Sequence, residues 1–293
     1  MKTFTIGTND ANQRFDKYLK KLLPNASVSF LYKMLRKKNI TLDGKKATGK
    51  ETLQKGAQVA VFFSDETLHK FMQDTKKLQE EFHMLQRLPI KGLSIIYEDT
   101  DILIADKPYN MLSQKAKEQD LSANEYLLGY LIRSGALSLE TFGTFRPSVC
   151  NRLDRNTSGL LLAAKNAHVA YAMMRKPQKV YLALAVDRME GAGVVDQPIR
   201  VKEGCCITRE VGEGGKESLT RWEALATDGT VTLLRVVIET GRTHQIRVHM
   251  ASIGCPLLGD TLDGGETERI ERQALHCMQA SFIHPVDKRL CIV

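Results

Sequence analysis

The sequence predicts an α+β protein, with a small helix-and-strand unit at the N-terminus and a larger body built on hairpins. Three observations carry that reading. Two amphipathic helical patterns follow one another near the N-terminus, before any long strand. Two later stretches, Leu93–Lys107 and Leu219–Glu239, read as strand pairs joined by an acidic turn (Glu98–Asp101) and by an Asp228-Gly229 turn. Between them, Lys179–Val186 alternates with a period of two, as a strand does.

The N-terminal unit covers residues 1–63. A short strand, Thr3–Ile6, leads to a helix from about Arg14 to Leu23, where Phe15, Leu19, Leu22 and Leu23 recur at helical spacing and Lys17, Lys20 and Lys21 turn outward. Pro24 stops it. A second helix begins near Ser27, carries Phe30, Leu31, Met34 and Leu35 on one face, and ends in Arg36-Lys37-Lys38. A strand (Asn39–Leu42), an Asp43-Gly44 turn with Lys45-Lys46, a Lys55-Gly56 turn and a strand (Gln58–Phe63) complete the unit. Residues 1–63 hold 13 Lys/Arg against 4 Asp/Glu, a net of +9, whereas the other 230 hold 29 against 30. A basic module joined to a near-neutral body suggests a polyanion partner, most often nucleic acid; a solubilising basic face is the plainer alternative.

Residues 64–89 are polar and charged, with Leu68, Phe71, Met72, Thr75, Leu78, Phe82 and Leu85 at helical spacing, and read as one linker helix. The body, residues 90–293, opens with the first hairpin, followed by a helical stretch over 120–139. The motif Cys150–Lys165 comes next. Asp154 sits between Arg152 and Arg155, a Thr-Ser-Gly turn follows, and Leu160–Ala164 reads as a buried strand. Flanking cations favour the ionised carboxylate, usable as a nucleophile or as an electrostatic stabiliser; the plain alternative is an ion pair that fixes a turn. After a helix over Ala167–Met174, the strand Lys179–Val186 sets Lys179, Tyr181, Ala183 and Ala185 on one face, leaving room against the Tyr181 ring. The second hairpin delivers Thr240–Gly254, in which Thr243 is the expected N-cap and Gly254 the stop of a helix over His244–Ile253. Ile246, Val248 or His249, Met250 and Ile253 are expected inside, with Arg242, His244, Gln245 and Arg247 near the helix start, where anions are favoured. His244 and His249, five apart, do not share a helical face, which discounts a zinc site.

The six cysteines lack C-x-x-C spacing, Cys205 and Cys206 being merely adjacent, so the chain is expected in a reducing cytoplasm. The N-terminus has no signal-peptide core, and no apolar run approaches the roughly 20 residues of a membrane span.

Several stretches carry a resemblance. Arg14-Phe15-Asp16-Lys17-Tyr18-Leu19, Leu35–Lys38, Ile40–Lys45 and Gly56-x-x-Val59 look like a small RNA-binding domain of the ribosomal S-four type. Ile102–Pro108, Arg152–Gly159, Lys179-x-Tyr181, Gly241–His249, Pro256–Asp260 and Gln273–His276 before His284-Pro285 are similar to the RluA family of pseudouridine synthases. The resemblance implies a mixed, mainly antiparallel sheet with flanking helices and a central RNA cleft. It implies an isomerase that detaches uracil from ribose, rotates it and rejoins it through carbon, without cofactor or metal. Carried over, Asp154 attacks or stabilises the sugar or base, Tyr181 stacks on the target base, Arg247 pairs with Asp154, and Arg152 fills the stack the uridine leaves. Arg155, Lys179, Arg242 and His244 in the body, with Arg14, Lys17, Arg36, Lys37, Lys38 and Lys45 in the N-terminal unit, are the further RNA contacts expected. The substrate favoured is ribosomal RNA, with transfer RNA second, and the chain is expected to act as a monomer off the membrane. Asn151 stands where the family has His, Tyr109–Gln114 replace a Gly-rich segment with a His, and Asp263 replaces an aromatic. A non-catalytic RNA-binding or ribosome-assembly factor needs no carboxylate facing phosphates, and a glycosidase-like hydrolase needs two, so both rank lower.

Overall fold

The computed structural model describes residues 1–7, 10–72, 75–90, 92–173, 177–205 and 207–293. The chain divides into two compact units: Met1–Lys91 with Asn124–Ser148 and Ala163–Ala172, and Gly92–Ala123 with Val149–Leu162 and Met173–Val293.

In the first unit, β1 (Lys2–Thr5), α1 (Phe15–Leu22), α2 (Val28–Arg36), β2 (Ile40–Leu42), β3 (Lys45–Lys46) and β4 (Gln58–Val61) come in order. The strands form an antiparallel sheet in the order β1-β4-β2-β3. Phe15, Leu19, Leu31, Leu35, Ile40, Val59 and Val61 fill its core. Ser27 caps α2 by accepting the Phe30 N–H at 3.2 Å. The Asp43-Gly44 turn puts both residues at positive φ, 49° and 70°, the geometry a two-residue hairpin needs.

The expected single linker helix is two helices, α3 (Asp65–Phe71) and α4 (Thr75–Arg87). Ser64 caps α3, and Met72 closes it in an extended conformation. The reason lies in Asn25, whose backbone N–H takes the Phe71 carbonyl and whose side chain takes that of Met72. Phe71 then packs at a tilt against Phe30, 4.6 Å between centroids. The expected helix over 120–139 is shorter, α5 (Ala123–Arg133), because Gly135 turns the chain at φ 77°. Ser138 opens α6 (Leu139–Thr144) with a capping box. Phe82 of α4 meets Phe142 edge-on at 5.6 Å, and Arg146 pairs with Glu81 at 2.7 Å. The next helix in the chain is α7 (Ala167–Met173); the last expected residue of that helix, Met174, lies outside the described residues.

The body carries β5 (Ser94–Glu98), β6 (Ile102–Lys107), β7 (Ser148–Val149), β8 (Ser158–Ala164), β9 (Gln178–Val186), β10 (Ala192–Asp196), β11 (Ile199–Val201), β12 (Arg209–Val211), β13 (Leu219–Thr227), β14 (Val231–Ile238), α8 (Gln245–Ser252), β15 (Leu275–Ile283) and β16 (Leu290–Ile292). Its sheet runs β10-β13-β14-β9-β15-β8-β6-β5, with β16 on β15 and β7 on β8. β9 is antiparallel to β14 and to β15, whereas β15 and β8 run parallel, pairing His276 with Ser158 and Cys277 with Gly159. Gly159 has φ 111°, and a Cβ there would lie 2.2 Å from the Cys277 carbonyl oxygen, so this close parallel approach requires glycine. Ile102, Leu103, Ile104, Leu161, Leu162, Leu234 and Val236 are fully buried along the sheet.

Among the described residues no helix is long and apolar enough to cross a membrane. The described cysteines, 150, 205, 255, 277 and 291, are free thiols, and Cys206 lies outside the described residues.

Candidate active site

The loop that carries Asp154 is tied down on both sides. Upstream, the Asn151 side chain donates to the Leu160 carbonyl at 3.1 Å and accepts the Leu162 N–H at 2.8 Å, folding the loop back along β8. The Asn at this position is therefore a backbone clamp. Leu153 is held at both ends by one hydroxyl: Ser113 accepts its N–H at 2.9 Å and donates to its carbonyl at 2.7 Å. Downstream, the fully buried Lys107 ammonium donates to the carbonyls of Arg155, Pro108 and Met111 at 3.1, 2.9 and 2.8 Å. Burial lowers that ammonium to about 8. The Asp154 side chain, 27% exposed, is left facing solvent from a fixed backbone.

The second element is α8. Its N-cap is His244 and not the expected Thr243; His244 is left-handed, φ 59°, and makes no side-chain cap bond. The Gln245 side chain instead ties the chain entering α8 to β13. Its oxygen accepts the Arg242 N–H at 3.0 Å and the Thr240 hydroxyl at 2.8 Å, and its nitrogen donates to the Leu219 carbonyl at 2.9 Å. Gln245, expected among the residues near an anion, is thus a buried strut. Ile253, expected inside, is 40% exposed. His249 is buried between the Thr220 hydroxyl and the Gln197 carbonyl, and burial lowers its pKa.

Arg247 projects from α8 to the Asp154 loop. It is 4% exposed and meets three carboxylates. Nε and Nη2 donate to Asp260 at 2.5 and 2.7 Å, Nη1 donates to Asp154 at 3.3 Å, and Nη2 lies 3.3 Å from Asp263. Asp260 is delivered by the turn after Gly259, where φ is 76°. Burial, with Asp260 adding, raises the Asp263 carboxyl above its ordinary value. His244 Nε2 lies 3.9 Å from Asp154, and burial lowers its imidazole pKa, which favours the uncharged ring.

Tyr181, from β9, sits opposite Cys277 of β15 and is 5% exposed. Burial raises its phenol well above the usual 10.0, with Cys277 and then Asp154 adding, so it keeps its proton at neutral pH. Burial also lowers the ammonium of the neighbouring Lys179.

A cleft of about 320 Å³ opens over Asp154, lined also by Arg155, Asn156, His244, Arg247, Asp260, Arg272 and Gln273. Of the residues expected at the site, it therefore gathers Asp154, Arg155, His244 and Arg247. Arg152, Lys179, Tyr181 and Arg242 are not among its described lining residues; Arg152 and Arg242 are exposed elsewhere on the body, Arg242 donating to the Glu217 carbonyl at 3.0 Å. Arg14, Lys17, Arg36, Lys37, Lys38 and Lys45 all lie exposed on the first unit, where Arg14 pairs with Asp16 at 2.7 Å. Asp260 and Lys107 were visible in the sequence as parts of motifs, without a sign that one grips Arg247 and the other the Asp154 loop. The arrangement sets the Asp154 carboxyl group beside a guanidinium and a neutral ring, and offers it to an electrophile entering from solvent.

Comparison with known proteins adds an independent line. The family model described as RNA pseudouridylate synthase matches residues 101–252. The chain is 31% identical over 295 residues to a ribosomal large subunit pseudouridine synthase D of Nitrosomonas europaea, covering 96% of this chain and 80% of that one. It is 33% identical over 258 residues to YjbO, an uncharacterized RNA pseudouridine synthase of Bacillus subtilis, covering 85% of this chain and 83% of that one. Among solved structures, human RNA Pseudouridylate Synthase Domain Containing 1 superposes with a TM-score of 0.54 at 27% identity, over 70% of this chain and 84% of that one.

Proposed function

The chain belongs to the RluA family of RNA pseudouridine synthases, enzymes that isomerise uridine in RNA, and from that premise we propose that it acts on large-subunit ribosomal RNA through the cleft over Asp154. The observation that carries the reading is a solvent-facing carboxylate, Asp154, fixed 3.3 Å from the buried guanidinium of Arg247.

The reaction breaks the bond from ribose C1′ to uracil N1 and forms one from C1′ to C5. A proton leaves C5 and one is gained at N1, so atoms and electrons balance without a co-reactant. A base inside a helix is out of reach and must be flipped, at a cost of a few kcal/mol. Asp154 meets the flipped nucleoside as nucleophile or charge stabiliser, and Arg247, 3.3 Å away, keeps it aimed. Tyr181 backs the site as a ring for the target base and, with its proton retained, as a donor. Arg152, exposed and planar, takes the place of the departed base in the stack. Arg155, Lys179, Arg242 and His244 steady the surrounding strand.

Residues 1–63 serve as an RNA-binding domain of the S-four type, joined by 64–89 to a catalytic domain over 90–293. Arg14, Lys17, Arg36, Lys37, Lys38 and Lys45 contact phosphates, which supply affinity without reading sequence. Transfer RNA ranks second as substrate, and the enzyme works as a cytoplasmic monomer. Support for the ribosomal assignment is the net +9 of residues 1–63 and the printed names of the bacterial relatives. The test is to map pseudouridines in total RNA from cells with and without the protein. Loss of pseudouridine from large-subunit ribosomal RNA is expected. A loss confined to transfer RNA would overturn the substrate, and no loss anywhere would overturn the activity.

A further inference from the structure

Beside the cleft is a second hollow of about 430 Å³, lined by Tyr109, Asn110, Asn156, Ile270, Glu271 and Arg272. Asn156, Glu271 and Arg272 line the cleft as well, so the two spaces share a wall. We propose that this hollow is a second subsite, which takes an unpaired base adjoining the target uridine and stacks it on the ring of Tyr109. The inference rests on the reading of the cleft as the uridine site.

Tyr109 is a large aromatic left 59% exposed at the end of β6, in a segment held rigidly. The Lys107 ammonium grips the carbonyls of Pro108 and Met111, one on each side of the ring-bearing residue. Asn110 turns the chain there in the left-handed region, φ 59°. The backbone that presents the ring is thus fixed, so binding there orders little main chain. Its neighbour is a cation: the Arg272 guanidinium carbon lies 5.4 Å from the ring centroid. A base sliding onto the ring meets an aromatic face and a guanidinium plane, the two surfaces on which unstacked RNA bases are held.

The remaining lining chemistry selects a base over a phosphate. Glu271 repels a phosphodiester but accepts from the N–H groups on a base edge, and the amides of Asn110 and Asn156 both donate and accept. The volume falls within the roughly 300–1,000 Å³ of small-ligand sites. Flipping a uridine also strips its neighbour of a stacking partner, and this ring supplies a replacement next to where the uridine goes. The same lysine fixes both places, because its third acceptor is the Arg155 carbonyl, one residue beyond Asp154.

The test uses the full-length enzyme with Tyr109→Leu and Tyr109→Phe, on a synthetic stem–loop bearing the mapped target uridine. The loop carries either its natural base or an abasic ribose at each position flanking that uridine. Tyr109→Leu should lower kcat/KM on the natural loop by about 5- to 150-fold, the worth of one base–aromatic stack. On the loop abasic at the stacked position it should match wild type within about 2-fold, and Tyr109→Phe should match wild type on both. An equal loss on both loops, or none on either, would overturn the subsite. If the wild-type enzyme leaves every loop unmodified, the cleft reading fails on its own. The subsite is then read from fluorescence of the same loop with 2-aminopurine at the flanking position. Quenching by wild type and not by Tyr109→Leu supports it; equal fluorescence with both overturns it.

Discussion

Arg247 is bidentate on Asp260, at 2.5 and 2.7 Å, and reaches Asp154 with a single nitrogen at 3.3 Å. The strong pair fixes the guanidinium, and the weaker contact is the one left to respond to a substrate. A bidentate arginine–carboxylate pair is planar and directional, so Asp260 determines which way the free Nη1 points.

Asp154→Asn keeps the shape of the loop and removes the charge. Isomerisation should fall by on the order of 10³-fold or more, as for loss of a reacting group. RNA affinity, measured by filter binding, should stay nearly intact. Retained turnover would remove the proposed nucleophile.

Asp260→Asn leaves the buried Arg247 without its main counter-charge. Breaking one partner of a buried pair is strongly destabilising, and about 3 kcal/mol is expected in urea unfolding. The turnover number should drop with it while KM for RNA changes little, because Asp260, 1% exposed at the cleft floor, acts through Arg247. A variant as stable as wild type would mean that Asp154 and Asp263 suffice to hold the cation.

Lys107 gives a pH signature. Burial lowers its ammonium from 10.5 to about 8. Between those values the unfolded chain holds a proton the folded chain has released, so this group adds stability as pH rises from about 8 to 10.5, and its cost is fully present below about 8. Lys107→Met removes that slope and strips a donor from three carbonyls. The variant should be less stable by about 2 kcal/mol at neutral pH, with the gap to wild type widening above pH 8. Chemical denaturation across that range checks it; parallel curves would refute the shifted lysine.

The basic end of α2 is expected to touch RNA through phosphates. Replacing Arg36, Lys37 and Lys38 together with Ala should weaken binding to any RNA alike. It should also reduce the slope of log affinity against log salt by about 2 to 3, close to one unit per lost duplex phosphate contact. An unchanged slope would mean these three side chains do not meet phosphate.

Much of the architecture was legible because it is local. Ser27 read as the start of α2 and caps it; the Asp43-Gly44 and Asp228-Gly229 turns sit between the strands they were expected to join; the alternation over Lys179–Val186 is one strand of the sheet. The misreadings have non-local causes. Helical spacing ran on through Met72, but Asn25, 47 residues away, takes the carbonyls there. Thr243 looked like a cap, but Gln245, bonded to β13 and to the Arg242 N–H, fixes the entry to α8 so that His244 opens it in the left-handed region with no side-chain cap. The Asp154–Arg247 approach was expected from family resemblance and not from spacing, because 93 residues separate them. Lys107 gave no sign of burial at all: a lysine before Pro reads as surface, and only three converging carbonyls make its position tolerable.

Two of the three carboxylates around the buried guanidinium, Asp154 and Asp260, line the cleft and put acidic oxygens at its floor. Such a floor sorts the parts of a nucleotide: a neutral ring can descend, while the charged backbone is kept at the rim near Arg155. The depth to which RNA enters is thereby set by charge as well as by shape, and a strand must arrive base first.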